Sequence, residues 1–171
     1  MKRIVLTGAE CTGKSTLTQA LSGYYGEPWT SEFVREYVDQ IQRELTRDDL
    51  DSIAKGQIAT EEAGLDQAKR LILHDTNLLS SIIYANHYFG EITDWVNERF
   101  LQRDYTLYLL CTAHGIEWQD DPGQRDSPAA RDELQAKFKQ TLDQLQLPYV
   151  ELSGDPAARF GEAIRAIDAV L

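Results

Sequence analysis

Short apolar runs alternate along this chain with longer stretches in which apolar residues return every third or fourth position, a rhythm that predicts strands alternating with helices. Residues 3–7, Arg-Ile-Val-Leu-Thr, read as a first strand buried on both faces, and residues 14–25 as a helix. Residues 28–31 make a short second strand that runs straight into a helical stretch over 32–45. The next helix is better marked: Thr46 and Asp49 stand at capping-box spacing, and Leu50, Ile53, Ala54, Ile58, Leu65 and Ala68 line one face. Residues 71–75, Leu-Ile-Leu-His-Asp, form a third strand that ends on a carboxylate. Helices follow over 78–89 and 93–102, and then a fourth strand over 105–111.

Residues 112–130 break the rhythm. They have little periodicity and contain Gly115, Pro122, Gly123 and Pro128. An aperiodic segment of that length inside a compact domain reads as a functional lid or as a disordered stretch. Ser127-Pro128 caps the following helix, whose Leu134, Phe138, Leu142 and Leu145 share a face. A fifth strand spans 148–152, and Asp155-Pro156 caps a last helix with Phe160, Ala163, Ile164, Ile167 and Leu171 facing inward. Five strands with intervening helices predict a single domain, residues 1–171. Its expected architecture is a three-layer α/β/α P-loop NTPase fold around a five-stranded parallel sheet, kinase-like with a lid over 112–130.

Composition narrows the function. The 171 residues carry 17 Lys plus Arg against 28 Asp plus Glu, a formal charge of −11. Binding to nucleic acid or to anionic lipid needs a basic surface, so neither partner is expected. With 42% hydrophobic residues the chain can build a core. No apolar run approaches a membrane span, and the short N-terminal triplet Ile4–Leu6 is no signal-peptide core. Two cysteines, Cys11 and Cys111, form neither a disulfide framework nor a CxxC pair, which suggests a reducing cytoplasm.

The strongest motif lies directly after the first strand. Gly8-Ala9-Glu10-Cys11-Thr12-Gly13-Lys14-Ser15 fits G-x-x-x-x-G-K-[ST] and is followed by Thr16 and an amphipathic helix. Glycines let such a loop point its amides at phosphates, and the helix turns its positive end to the same anion. Lys14 would reach the β- and γ-phosphates of ATP, and the Ser15 hydroxyl would ligate Mg²⁺. A random chain of this length matches the pattern on the order of once in two hundred, even before the strand-loop-helix context is counted.

Three P-loop classes compete for this cradle. Asp120-Asp-Pro-Gly123-Gln124 imitates the D-x-x-G of a small GTPase, but it lies about nine residues beyond its strand, and no N-K-x-D for guanine exists. A motor or remodelling ATPase would be larger, with a longer strand ending in Asp-Glu. The third strand ends instead in His74-Asp75-Thr76, which suits a small-molecule kinase whose carboxylate holds Mg²⁺ or orients the acceptor. The plainer alternative is that Asp75 caps the helix from Asn77 onward. Arg125 and Arg131, within or beside the lid, would neutralise charge on the transferring group, with Arg131 on the ATP side. As isolated residues, both arginines are also ordinary surface cations. Glu32, Arg35 and Glu36 follow the second strand, where parallel folds place ligands, and could equally be capping and surface charge.

Taken in order, Gly8–Ser15, Ser31-Glu-Phe-Val-Arg-Glu36, Asp75-Thr76, Trp118-Gln-Asp-Asp121, Gly123, Arg125 and Leu147-Pro-Tyr-Val150 resemble the ribosylnicotinamide kinase domain of NadR-type proteins and the wider group of NadR-like P-loop kinases. The resemblance implies ATP- and Mg²⁺-dependent phosphorylation of the 5′-hydroxyl of nicotinamide riboside, giving nicotinamide mononucleotide. It also implies that Glu32, Arg35 and Glu36 border the acceptor and that Trp118 packs on the cationic nicotinamide ring, which an indole face favours. Asp120 or Asp121 would then accept the ribose hydroxyls; the choice stays open because this chain has one extra residue before Arg125.

The chain also departs from that family. Ser31 stands where such proteins often have Trp, and Asn77 where they often have a second Asp. The first strand begins so early that no nucleotidylyltransferase or DNA-binding domain is expected ahead of it. The expected catalytic set is Lys14, Asp75, Glu32 and Arg125, with Ser15 and Asp75 as metal ligands. The expected partner is a small-molecule acceptor, nicotinamide riboside or a related nucleoside, with a homo-oligomer left open. The alternatives are a NadR-like kinase of another nucleoside or small alcohol, and an ATP-binding switch with weak hydrolysis.

Overall fold

A computed structural model describes residues 1–121 and 127–171. Its centre is a five-stranded, wholly parallel sheet in the order β2-β3-β1-β4-β5, built from β1 (Lys2–Thr7), β2 (Trp29–Thr30), β3 (Leu71–Asp75), β4 (Leu107–Cys111) and β5 (Tyr149–Leu152). Every residue of β3 and β4 is buried, as the continuous apolar runs predicted for a sheet covered on both faces. Alternation decides which layer each side chain serves. Ile4 and Leu6 of β1 pack with Leu17 and Leu21 of α1 (Lys14–Tyr25) and with Ala163 and Ile167 of α7 (Pro156–Asp168). Val5 faces the opposite core, which is closed by α3 (Leu50–Leu65), α4 (Leu78–Phe89), α5 (Asp94–Leu101) and α6 (Pro128–Gln144). The three layers are those expected.

The differences lie at element ends. Helix α2 covers only Phe33–Ile41, because Gln42 turns into the left-handed region at φ 51 and stops it. Thr46 and Asp49 do form a capping box, but around a 3₁₀ turn, Arg47–Asp49, that leads into α3. Ala68 lies beyond that helix. Leu145 and Leu171 are not core residues. Each follows the end of its helix, where the chain has left the apolar face, and they are 42% and 49% exposed. The segment after β4 carries no helix or strand through Asp121, and Pro128–Ala130 already belong to α6, capped by Ser127, which accepts from Ala130 N.

Parallel pairing brings the carboxyl ends of β1 and β3 side by side, with Leu6 opposite Asp75. The chain turns to one side of β1 for β2 and β3 and to the other for β4 and β5, so a crevice opens beside β1.

Candidate active site

The phosphate loop leaves β1 through Gly8, which has φ 127. A Cβ there would stand 2.5 Å from the Cys111 carbonyl oxygen, so this position takes glycine for both conformation and space. Two flanking side chains hold the loop. Gln135 of α6 accepts from Ala9 N at 2.9 Å and donates to Cys111 O at 3.2 Å. Tyr84 of α4 accepts from Glu10 N at 3.1 Å. The Ala9 and Glu10 amides are therefore engaged by protein, which narrows the expected eight-residue cradle to its later part. Cys11 (φ 52) and Gly13 (φ 76) make the left-handed turns there, and the first-turn amides of α1, at Lys14, Ser15 and Thr16, have no partner within the helix and are free for an anion. Lys14 Nζ donates to Ala9 O at 2.6 Å, and Thr12 Oγ1 donates to the same carbonyl at 2.9 Å.

Arg159, buried at the start of α7, straps this loop from behind. It donates to Thr12 O (3.2 Å), His114 O (2.5 Å) and Gly154 O (2.7 Å). Nothing local in the sequence marks it, since its partners lie on three separated turns. The segment following β4 is tied down at a second point: Cys11 Sγ donates to Glu117 O at 3.3 Å and accepts from Gln119 N at 3.4 Å.

Ser15 and Asp75 meet across the β1–β3 seam. The Ser15 hydroxyl donates to Asp75 Oδ2 at 2.5 Å, while Asp75 Oδ1 is buried without a hydrogen-bond partner among the described residues. Two hard oxygen donors, one with an unsatisfied lone pair, fit Mg²⁺, which binds through one or two protein oxygens plus phosphate and water. Asp75 does not cap the next helix. Asn77 does so, accepting from Leu79 N at 3.2 Å while donating to Tyr108 OH at 3.1 Å. Between them Thr76 sits at φ 65, a strained conformation for a β-branched residue and one that clusters at functional sites.

Glu32 is the residue before α2, and α3 fixes its place. Phe33 N donates to Gln57 Oε1 at 3.1 Å, and the Phe33 ring lies where a Cβ on Gly56 would be 2.0 Å away. Burial pushes the Glu32 carboxyl above the usual range and the nearby Asp75 adds to that, against the opposing pull of Lys14 and Arg35. Arg35 Nε pairs with Glu32 at 3.2 Å and its Nη1 with Asp121 at 3.6 Å.

Lys14, Glu32 and Arg35 open onto one cavity of about 520 Å³, within the range of small-molecule sites. Its polar end also holds Glu10, Thr76 and Asn77, and its apolar end is made by residues such as Val38, Leu45, Ile53 and Phe89 from α2, α3, α4 and their connections. Sequence reading missed this wall, including Gln57 and Tyr84, because three helices have to converge to form it. Glu36 is exposed and accepts from Gln40 at 3.0 Å, outside the lining.

Trp118, expected on the acceptor ring, is not in the lining either. Its Nε1 donates to Asp120 at 2.7 Å, and the Arg131 guanidinium stands 5.4 Å over its ring, so the indole already faces a cation of its own chain. Asp120 and Asp121 thus bind Trp118 and Arg35. Arg125 lies outside the described residues, as do Pro122, Gly123, Gln124 and Asp126. Among the described residues no cluster of three His, Cys, Asp or Glu side chains could hold a metal, and no helix is long and apolar enough to cross a membrane.

Comparison with solved structures finds the same fold in NadR protein in complex with NR (TM-score 0.82, 20% identity) and in NadR with NAD and AMP-PNP (TM-score 0.84, 20% identity). Each match covers 99% of this chain and 49% of the other, so the chain spans about half the length of those NadR chains. Thymidylate kinase from Ehrlichia chaffeensis is also similar (TM-score 0.70, 14% identity, covering 97% of this chain and 98% of that one). So is deoxyadenosine kinase from M. mycoides with bound dATP (TM-score 0.66, 14% identity, 98% and 100%). The fold is thus that of P-loop nucleoside and nucleotide kinases. Residues 3–159 match the family described as AAA domain, and the chain belongs to that family of P-loop proteins.

Proposed function

We propose that this protein is an ATP-dependent kinase that phosphorylates a hydroxyl of a small nucleoside, most specifically the 5′-hydroxyl of nicotinamide riboside, giving nicotinamide mononucleotide. The observation that carries this reading is that Lys14 of the phosphate loop and Glu32 line one and the same cavity. A phosphoryl donor and a hydroxyl acceptor can therefore meet there with a carboxylate beside them, as transfer to an alcohol needs.

The cavity's charge favours a nucleoside over a nucleotide. Its cationic lining residues among those described are Lys14, committed to the phosphate loop, and Arg35, paired with Glu32 and Asp121. A phosphate already on the acceptor would instead meet Glu10, Glu32 and Glu44. The resemblance to NadR with NR, which names nicotinamide riboside, supports that nucleoside, and a carboxylate-rich cavity is suited to a cationic base.

In this reading the loop amides and Lys14 bind the triphosphate, and Ser15 and Asp75 hold Mg²⁺. When bound, Mg²⁺ supplies charge neutralisation on the β- and γ-phosphoryl oxygens. Glu32 orients the acceptor hydroxyl and takes its proton, and Lys14 offsets negative charge on the transferring group. The segment from residue 112, held by Cys11 and Arg159, would act as a lid that keeps water from the phosphoryl group. Arg131 would bring a cation to the transferring group.

The test is a nucleoside panel with purified protein, ATP and Mg²⁺, read by product mass and ADP release, with Lys14→Ala as control. Mononucleotide formed in equal amount to ADP, and lost by about 10²-fold or more in the control, is expected. Slow ADP release that no nucleoside stimulates would overturn the kinase reading in favour of a nucleotide switch. Transfer to other nucleosides but not nicotinamide riboside would overturn only the specific acceptor.

A further inference from the structure

Glu10 sits in the phosphate loop, and its side chain is engaged by Tyr84 of α4. Glu10 is among the residues that line the cavity and is buried, with 6% exposure. Oε2 accepts from the Tyr84 hydroxyl at 2.5 Å, and that hydroxyl accepts in turn from Glu10 N. Tyr84 therefore grips one residue at two points, and its ring is braced edge-on by Phe138 and stacked by Tyr88. Burial and the neighbouring carboxylates of Glu10 and Glu32 push the Tyr84 phenol well up, so it stays a donor at every working pH. The other carboxylate oxygen, Oε1, is buried and has no partner among the described residues.

A buried, unsatisfied carboxylate oxygen is costly unless something donates to it. It is also held rigidly, on the wall of the cavity that Lys14 and Glu32 share. We propose that Glu10 Oε1 is the recognition point for a second hydroxyl of the acceptor, and that the site therefore selects ribonucleosides over deoxynucleosides. Tyr84 is the positioning residue that aims it. The inference rests on the nucleoside kinase reading above and adds to it the sugar that is accepted. A site built to hydrogen-bond a hydroxyl rejects the analogue that lacks it, because the protein group is then left buried and alone. A merely structural Glu10–Tyr84 tie would be indifferent to the sugar.

The experiment compares kcat/KM for adenosine, cytidine, uridine and nicotinamide riboside with those of their 2′-deoxy and 3′-deoxy counterparts, alongside calorimetric binding of each to the protein with AMP-PNP and Mg²⁺. The parent protein should prefer the ribo form of its acceptor by about 10²-fold or more over at least one deoxy form. Glu10→Gln keeps the shape and loses the charge. Tyr84→Phe keeps the ring and frees the carboxylate. Both should shrink that ratio about tenfold, chiefly by weakening the ribo substrate. Since the readout is a ratio within one protein, partial misfolding does not imitate it. Equal use of ribo and deoxy acceptors by the parent, or an unaltered ratio in both variants, overturns the proposal and leaves the kinase reading standing. Neither transfer nor binding of any nucleoside overturns both.

Discussion

Ser15 and Asp75 are sixty positions apart in sequence and 2.5 Å apart in space, the first on the opening turn of α1 and the second on the last residue of β3. Pairing of β1 with β3 makes the contact, and the unpartnered Oδ1 leaves the carboxylate short of one donor or cation. Asp75→Asn should therefore lower the Mg²⁺-dependent part of ATP-analogue affinity by about tenfold or more while leaving the metal-free affinity nearly unchanged. Titrations with and without EDTA measure both. An equal loss in the two conditions would make Asp75 a structural anchor only.

Glu32 should write its own signature into the pH profile. A base works deprotonated, and burial with a nearby Asp75 holds this carboxyl above the ordinary glutamate range, so kcat should rise with pH through that elevated value and flatten above it. Glu32→Gln should lose the rising limb and about 10²-fold or more of kcat. A limb that survives the substitution belongs to another group.

Trp118 and Arg131 predict a test of where the indole acts. With the guanidinium 5.4 Å over the ring, Trp118→Ala should cost Arg131 about 0.5–1 kcal/mol of support, a two- to five-fold effect on ATP KM or kcat. Trp118→Phe should recover much of it. Acceptor affinity should hardly move. A selective rise in acceptor KM would instead put the indole on the nucleoside.

His74 is fully buried in β3 and pairs through Nδ1 with Thr30 at 2.8 Å, and burial holds its pKa down at about 3, with Arg3 and Arg103 adding to that. The unfolded chain protonates this ring near pH 6.5 while the folded chain does not, so its contribution is fully present above that pH and is lost as pH falls toward 3. The slope limit is about 1.4 kcal/mol per pH unit. Urea unfolding at pH 7, 5.5 and 4 should show a steeper acid loss for the parent than for His74→Gln. Parallel curves would mean the ring titrates normally.

The β/α order and the phosphate loop were legible in the sequence because each is local: Ile4–Leu6 is one run, and Gly8–Ser15 is one loop. Asp75 could be read too, since it ends a strand. The cavity wall could not, because Glu10, Gln57 and Tyr84 become neighbours only when β1, α3 and α4 pack together. Trp118 shows what spacing leaves out. Its spacing matched a family pattern, but its surroundings are set by the first turn of α6, which supplies Arg131. Leu145 and Leu171 continue a helical period that the backbone itself does not continue.

Arg159 gives the fold an order in time. The phosphate loop leaves the ribosome well before α7, with α1 right behind it, and it can turn as soon as β1 has neighbours. The guanidinium that holds Thr12 O and His114 O belongs to α7, 147 residues after Thr12. Synthesis proceeds at about 5–20 residues per second, so the nascent loop spends several seconds without that strap. A growing chain should thus bind nucleotide weakly until α7 docks, because the contact that steadies the loop comes from a helix made long after it.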